Sequence, residues 1–109
     1  MAYDESLAER IRGVLAANAS VSERRMFGGL AFMVAGNMAC GVVKSDLMVR
    51  LGENAVEAAL SEPYVRLMDF TGKPSRTMVY VSADGVADDP SLEAWVLRAV
   101  DFASTLPPK

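Results

Sequence analysis

Cys40 is the only thiol in the chain, and the chain contains no histidine. Ser-His-Asp and Cys-His catalysis needs an imidazole to take the nucleophile's proton, so that chemistry has no base here. Zinc sites built on His or on several Cys are excluded by the same count. One cysteine forms no internal disulfide, which leaves the fold to stand on its core and fits a reducing compartment. Nothing near Cys40 in sequence stabilises a thiolate, so it reads as a core residue of a strand. The closest acidic cluster, Asp84, Asp88 and Asp89, lacks the alternating spacing and distal Glu of a calcium loop and reads as helix capping. Gly28 and Gly29 are not followed by the Lys-Ser or Lys-Thr pair of a phosphate cradle. They read as a kink, a bulge or a close approach of two backbones. Tyr80 and Asp69, with Arg50 nearby, form an acid/base set that only a pocket would turn into a small-molecule or enzymatic site. No catalytic, cofactor-binding or metal-ligating residue is assigned, no cofactor is expected, and the expectation is a non-enzyme.

What remains is charge. Arg24 and Arg25 form one basic pair, and Arg66, Lys73 and Arg76 surround a later loop with only Asp69 opposing them. Such residues commonly blunt exposed strands, and they are also the residues a modest contact surface for an acidic protein or a nucleic acid would use. The chain carries 11 Lys and Arg against 14 Asp and Glu, a net charge of −3. That balance argues against tight, sequence-independent binding to DNA or RNA, where a basic face drives affinity through counterion release.

These side chains need elements to position them. From Asp4 to Ala17 the residues Tyr3, Leu7, Ile11, Val14 and Leu15 recur at helical spacing, with Asp4 or Ser6 as the cap and Asn18 to Ser20 as the end. Arg24 to Leu51 changes period and contains short β-rich runs, with Gly36-Asn37 as a two-residue hairpin turn and a second turn at Lys44 to Asp46. Alternation along Met38–Val43 puts Met38, Cys40 and Val42 on one face. Gly52 to Leu60 returns to helix and Pro63 bars its continuation. Val65–Phe70 and Thr77–Ser82 read as strands around loop residues 71–75. Asp88 or Asp89 followed by Pro90 opens a last helix, whose core side is Leu92, Val96, Ala99, Val100 and Ala103 with Trp95 and Phe102 flanking, and which Pro107 and Pro108 stop. The order is an α+β arrangement, α-β(3)-α-β(2)-α, with an antiparallel sheet of about five strands covered by helices.

A length of 109 residues, 51% apolar and 23% charged, suits a single packed domain spanning 1–109. The N-terminus carries Asp4, Glu5 and Glu9 where a secretory signal would carry positive charge, and no apolar run approaches the length of a spanning helix. A cytoplasmic protein is expected. Seven methionines are many for this length. Most of them, Met26, Met33, Met38, Met48, Met68 and Met78, fall in strand segments and suit both core packing and adaptable surfaces.

The string Arg24-Arg25-Met26-Phe27-Gly28-Gly29-Leu30-Ala31-Phe32-Met33, followed by Gly36-Asn37-Met38, resembles the signature of the N-terminal domain of the TfoX/Sxy family. Met68-Asp69-Phe70-Thr71-Gly72-Lys73-Pro74 and then Met78-Val79-Tyr80-Val81 are similar to the second half of that domain. The resemblance covers essentially the whole chain, and Met26, Phe27, Gly28 and Gly29 are its structural signature. It implies the same α-β(3)-α-β(2)-α fold, in a bacterial protein. Full-length members regulate natural competence gene expression and are thought to act with the cyclic-AMP receptor protein; this sequence ends after the third helix, without their C-terminal helical domain. The expectation is therefore a stand-alone regulatory or interaction module working by contact with a protein partner, such as a transcription regulator, and self-associating through an exposed strand or helix face, as a homodimer. Weak nucleic-acid binding through Arg24, Arg25, Arg66, Lys73 and Arg76 is the second reading, and small-molecule binding the third.

Overall fold

A computed structural model describes residues 3–17, 21–26, 28–70 and 73–108. The first helix, α1 (Glu5–Leu15), begins where the Asp4 carboxylate accepts the Leu7 N–H at 3.1 Å, so Asp4 rather than Ser6 is the cap. Its expected end at Asn18 to Ser20 lies outside the described residues. Six strands follow: β1 (Val21–Met26), β2 (Gly29–Val34), β3 (Asn37–Val43), β4 (Asp46–Arg50), β5 (Val65–Phe70) and β6 (Lys73–Val81). Helix α2 (Glu53–Ala59) sits between β4 and β5. A 3-10 turn at Ala83–Val86 leads into α3 (Asp89–Ser104). There Asp88 caps the helix by accepting the Ser91 N–H at 3.0 Å, with Pro90 in the first turn.

All strand pairs are antiparallel and the order across the sheet is β1-β2-β3-β4-β6-β5. The α+β class and antiparallel sheet agree with expectation, but the sheet has six strands rather than about five. The additional strand is β1. Its Ser-Glu-Arg-Arg centre has little β propensity, and it becomes a strand because its pairing with β2 closes a hairpin at the edge.

Three local expectations are corrected. Residues 73–75, expected as loop, begin β6, where Lys73 and Pro74 pair with β5. The hairpin turn between β2 and β3 is Ala35-Gly36, with φ of 51° and 83°. Both central residues of this tight turn take the left-handed region, and Asn37 already belongs to β3, opposite Val34. Further along, Met38 does not share a face with Cys40. The register shifts between Phe32 and Met33, pairing Phe32 with Cys40 but Met33 with Met38, so Ala39 is a bulge residue. One extra residue reverses the alternation.

Helices and sheet therefore enclose one main core on one side. Leu7, Ile11 and Leu15 of α1, Val56 of α2 and Leu92, Trp95, Val96 and Ala99 of α3 pack with Leu30, Phe32, Cys40, Val42, Leu47, Val49, Val79 and Val81. Burying each large side chain contributes roughly 1.5–3 kcal/mol. The reverse face carries a second cluster, Ala31, Met38, Met48 and Met78, with Met33, Val43 and Tyr80 against it. Four of the six strand methionines are thus partners on one face; the side chains of Met26 and Met68 lie outside the described residues.

Candidate functional site

The basic residues singled out in the sequence occupy two opposite edges of the sheet. Arg24 pairs with Ala31 across β1 and β2, Ala31 with Gly41, Gly41 with Met48, Met48 with Tyr80, and Tyr80 with Arg66. This single ladder crosses all six strands and has an arginine at each end. At about 4.8 Å per strand the two arginine backbones are roughly 24 Å apart. Arg25 belongs to the next row, opposite Leu30, and so projects from the other face of β1 than Arg24. Arg24 and Arg25 are exposed and make no ion pair among the described residues. Arg66 is engaged: it donates to the Asp46 carboxylate, and its guanidinium carbon lies 4.9 Å from the Tyr80 ring centroid.

Lys73 and Arg76 are on the first half of β6. Met78 is the last β6 residue paired with β4, opposite Arg50, and beyond it the β5–β6 hairpin continues without β4. Strand direction puts this extension at the end of the sheet opposite the β1–β2 turn. The side chains of Lys73 and Arg76 lie outside the described residues. The described backbone thus does not gather the five basic positions: Arg24 and Arg25 are on one edge strand, Arg66 is on the other edge in the row of Arg24, and Lys73 and Arg76 are at the far end of β6.

The signature stretch closes the β1–β2 hairpin. Met26 pairs with Gly29, Gly28 has a φ of 75°, and Phe27 lies outside the described residues. A Cβ on Gly29 would lie 2.1 Å from the Val42 carbonyl oxygen, so β3 passes where any other side chain would start. That is the close backbone approach anticipated for this pair.

The residues considered for catalysis have structural partners. Cys40 is completely buried, and burial pushes its thiol up to about 12. Arg50 donates to the Met38 carbonyl at 3.3 Å and lies 5.5 Å from the Phe102 ring centroid. Tyr80 is under Arg66, and the Asp69 side chain lies outside the described residues. In the acidic cluster, Asp88 also accepts from the Ser91 hydroxyl at 2.9 Å, and these hydrogen bonds hold its carboxyl below the usual range. Asp89 pairs with Arg10 at 3.1 Å, and the same guanidinium reaches the Val86 carbonyl at 2.8 Å, fastening α1 to the start of α3. Arg12 grips Glu23 through two bonds of 2.7 and 2.8 Å and also contacts Glu9. The bonds from Arg12 lower the Glu23 carboxyl and raise the guanidinium in return.

Sequence reasoning missed a different surface. Leu60, Tyr64 and Leu97 are the exposed large apolar side chains among the described residues. They flank one ion pair, Arg98 with Glu62 at 3.1 Å: Leu60 and Tyr64 are two residues either side of Glu62, and Leu97 adjoins Arg98. Arg98 also stacks on Trp95, its guanidinium carbon 4.1 Å from the ring centroid. Tyr64 has a φ of 68°, unusual for an aromatic residue, and its carbonyl accepts the Ser82 N–H at 2.9 Å and the Ser82 hydroxyl at 3.2 Å. An open groove of about 270 Å³ is lined by Glu53, Val56, Glu57 and Leu60. One sequence signal was available: Leu97 is next to Val96 and so falls off the apolar stripe of α3.

Among the described residues no helix is long and apolar enough to cross a membrane. No curated protein matches the chain. The family model of the TfoX N-terminal domain matches residues 14–103, from the last turn of α1 to the end of α3.

Proposed function

Because the chain belongs to the TfoX N-terminal domain family, we propose that it is a non-enzymatic, cytoplasmic regulatory module that acts in competence-type transcriptional control by contact with another protein. The observation that carries this reading is the fate of its reactive side chains. Cys40 is sealed in the core, Asp88 and Asp89 fasten a helix start, and Arg50 and Tyr80 are engaged by neighbouring groups. What the scaffold offers to solvent is shape, charge and a few large apolar side chains. A homodimer formed through an exposed edge strand, β1 or β5, belongs to the same reading, and sedimentation over a concentration series reads it out.

The partner is tested by immobilising the protein in lysate of its own host and comparing transcripts with and without the gene. The expected result is one protein retained saturably and a defined set of promoters altered. Repeatable absence of both overturns the proposal. Nucleic-acid binding draws support from Arg24 and Arg25, which are exposed and make no ion pair among the described residues, but the ladder that separates them from Arg66 makes it the second reading.

A further inference from the structure

The exposed large apolar side chains among the described residues are not scattered. Leu60 is 37% exposed, Tyr64 54% and Leu97 44%, and the Glu62–Arg98 pair ties together the two segments that carry them. Each Cα is within two residues of a member of that pair, a chain distance of about 7 Å at most. Single exposed leucines need no explanation; a group of three around an aromatic-stacked arginine has the composition of an interface centre.

Tyr64 is also held in place. A left-handed φ of 68° on an aromatic residue is strained and persists only where the surroundings impose it. Both Ser82 bonds to its carbonyl do so. The ring is thereby presented to solvent on a fixed backbone, which reduces the ordering cost on binding.

The charge around this group is mainly acidic. Glu53 and Glu57 stand one turn apart on α2, beside the groove that ends at Leu60, and neither has an ion-pair partner among the described residues. Like charges at this spacing repel. Asp101 extends the rim one turn beyond Leu97 on α3. Two cations are nearby: Arg98, which Glu62 already neutralises, and Arg50, which lies on the Phe102 ring and donates to the Met38 carbonyl. Arg24 and Arg25, which have no ion-pair partner among the described residues, are on β1 at the far edge of the sheet.

We propose that Leu60, Tyr64 and Leu97, around the Glu62–Arg98 pair, form a docking surface for a basic helical segment of a partner protein, anchored by apolar side chains and steered by Glu53, Glu57 and Asp101. The proposal rests on the protein-contact reading above and specifies which face makes the contact. A cationic segment relieves the repulsion between Glu53 and Glu57, while leucine-sized anchors cover the exposed ring and side chains.

The test uses the whole chain and an 18-residue helical peptide of leucine and lysine with its leucines along one face. Backbone amide shifts are expected to move only in 53–64 and 95–101. Tyr64→Ser with Leu97→Ser should weaken binding at least tenfold, and Glu53→Lys with Glu57→Lys should abolish it, each with an unchanged circular dichroism spectrum. A peptide with glutamate in place of lysine should not bind, nor should one with serine in place of leucine. Shifts elsewhere on the wild-type chain, equal binding of the serine peptide, or no binding at all overturn the proposal without relying on any variant. If the same amides move with protein concentration alone, a second copy occupies the face and the proposal fails. A partner retained from lysate by the Tyr64/Leu97 variant as well as by wild type would leave the contact function standing and overturn this face as its site.

Discussion

Arg24 and Arg66 are the two ends of one cross-strand ladder, roughly 24 Å apart at about 4.8 Å per strand. A duplex phosphate backbone engaged by one of them is not simultaneously engaged by the other unless it crosses the methionine-lined face between.

Nucleic-acid binding is therefore expected to be weak and shallow in its salt dependence. A gel-shift series with a 20-base-pair duplex should give a log–log salt slope no steeper than about −2, the value for two phosphate contacts at about 0.9 each. A slope near −4 or steeper, reduced by Arg24→Ala and by Arg66→Ala alike, would show that the two edges act together after all.

Cys40 makes stability fall at high pH. Burial raises its thiol from an ordinary 9.0 to about 12, so between these values the unfolded chain releases a proton that the folded chain retains. The contribution is complete below pH 9 and disappears as pH rises towards 12. Urea midpoints measured from pH 7 to 11 should fall less steeply for Cys40→Ala than for wild type, though that variant starts about 1–2 kcal/mol less stable from the lost packing. A thiol reagent should react with the native protein only as fast as it opens; rapid, denaturant-independent labelling would contradict the sealed site.

The two signature glycines should separate on substitution. Gly29→Ala drives a methyl group to 2.1 Å from the Val42 carbonyl oxygen, which β3 can relieve only by moving. A loss of at least about 3 kcal/mol, or failure to fold, is expected. At Gly28 a Cβ meets nothing within 4 Å and only the φ of 75° opposes it, so Gly28→Ala should cost about 1–2 kcal/mol. Equal costs by denaturant titration would refute this account of the signature.

Asn37 is 2% exposed and its Nδ2 donates to the Pro107 carbonyl at 2.9 Å, tying the tail beyond α3 to the β2–β3 turn. Asn37→Ala leaves that carbonyl without its donor and should cost about 1–3 kcal/mol. Limited proteolysis should then cut the tail earlier than in wild type. An unchanged cleavage rate would mean that the tail is held by other contacts.

Much of this fold was legible in local signals, since caps, stripes and turn residues act over a few residues. Asp4 and Asp88-Pro90 announced the helix starts, the apolar stripe of α3 announced its buried side, and Arg24 to Phe32 carried the family. Neighbouring residues determine these features, so they survive without knowledge of the fold. What only the tertiary structure decided depends on groups far apart in the chain. β1 is a strand because β2 pairs with it, Met38 leaves Cys40's face because the Phe32/Met33 register shifts, and Gly29 is required because β3 passes within reach. The basic residues form two groups along the sequence, and only the β1-to-β5 strand order shows that these groups do not converge but lie at opposite edges. Conversely, Leu60, Tyr64 and Leu97 looked unremarkable until the Glu62–Arg98 pair, between residues 36 apart, brought their segments together.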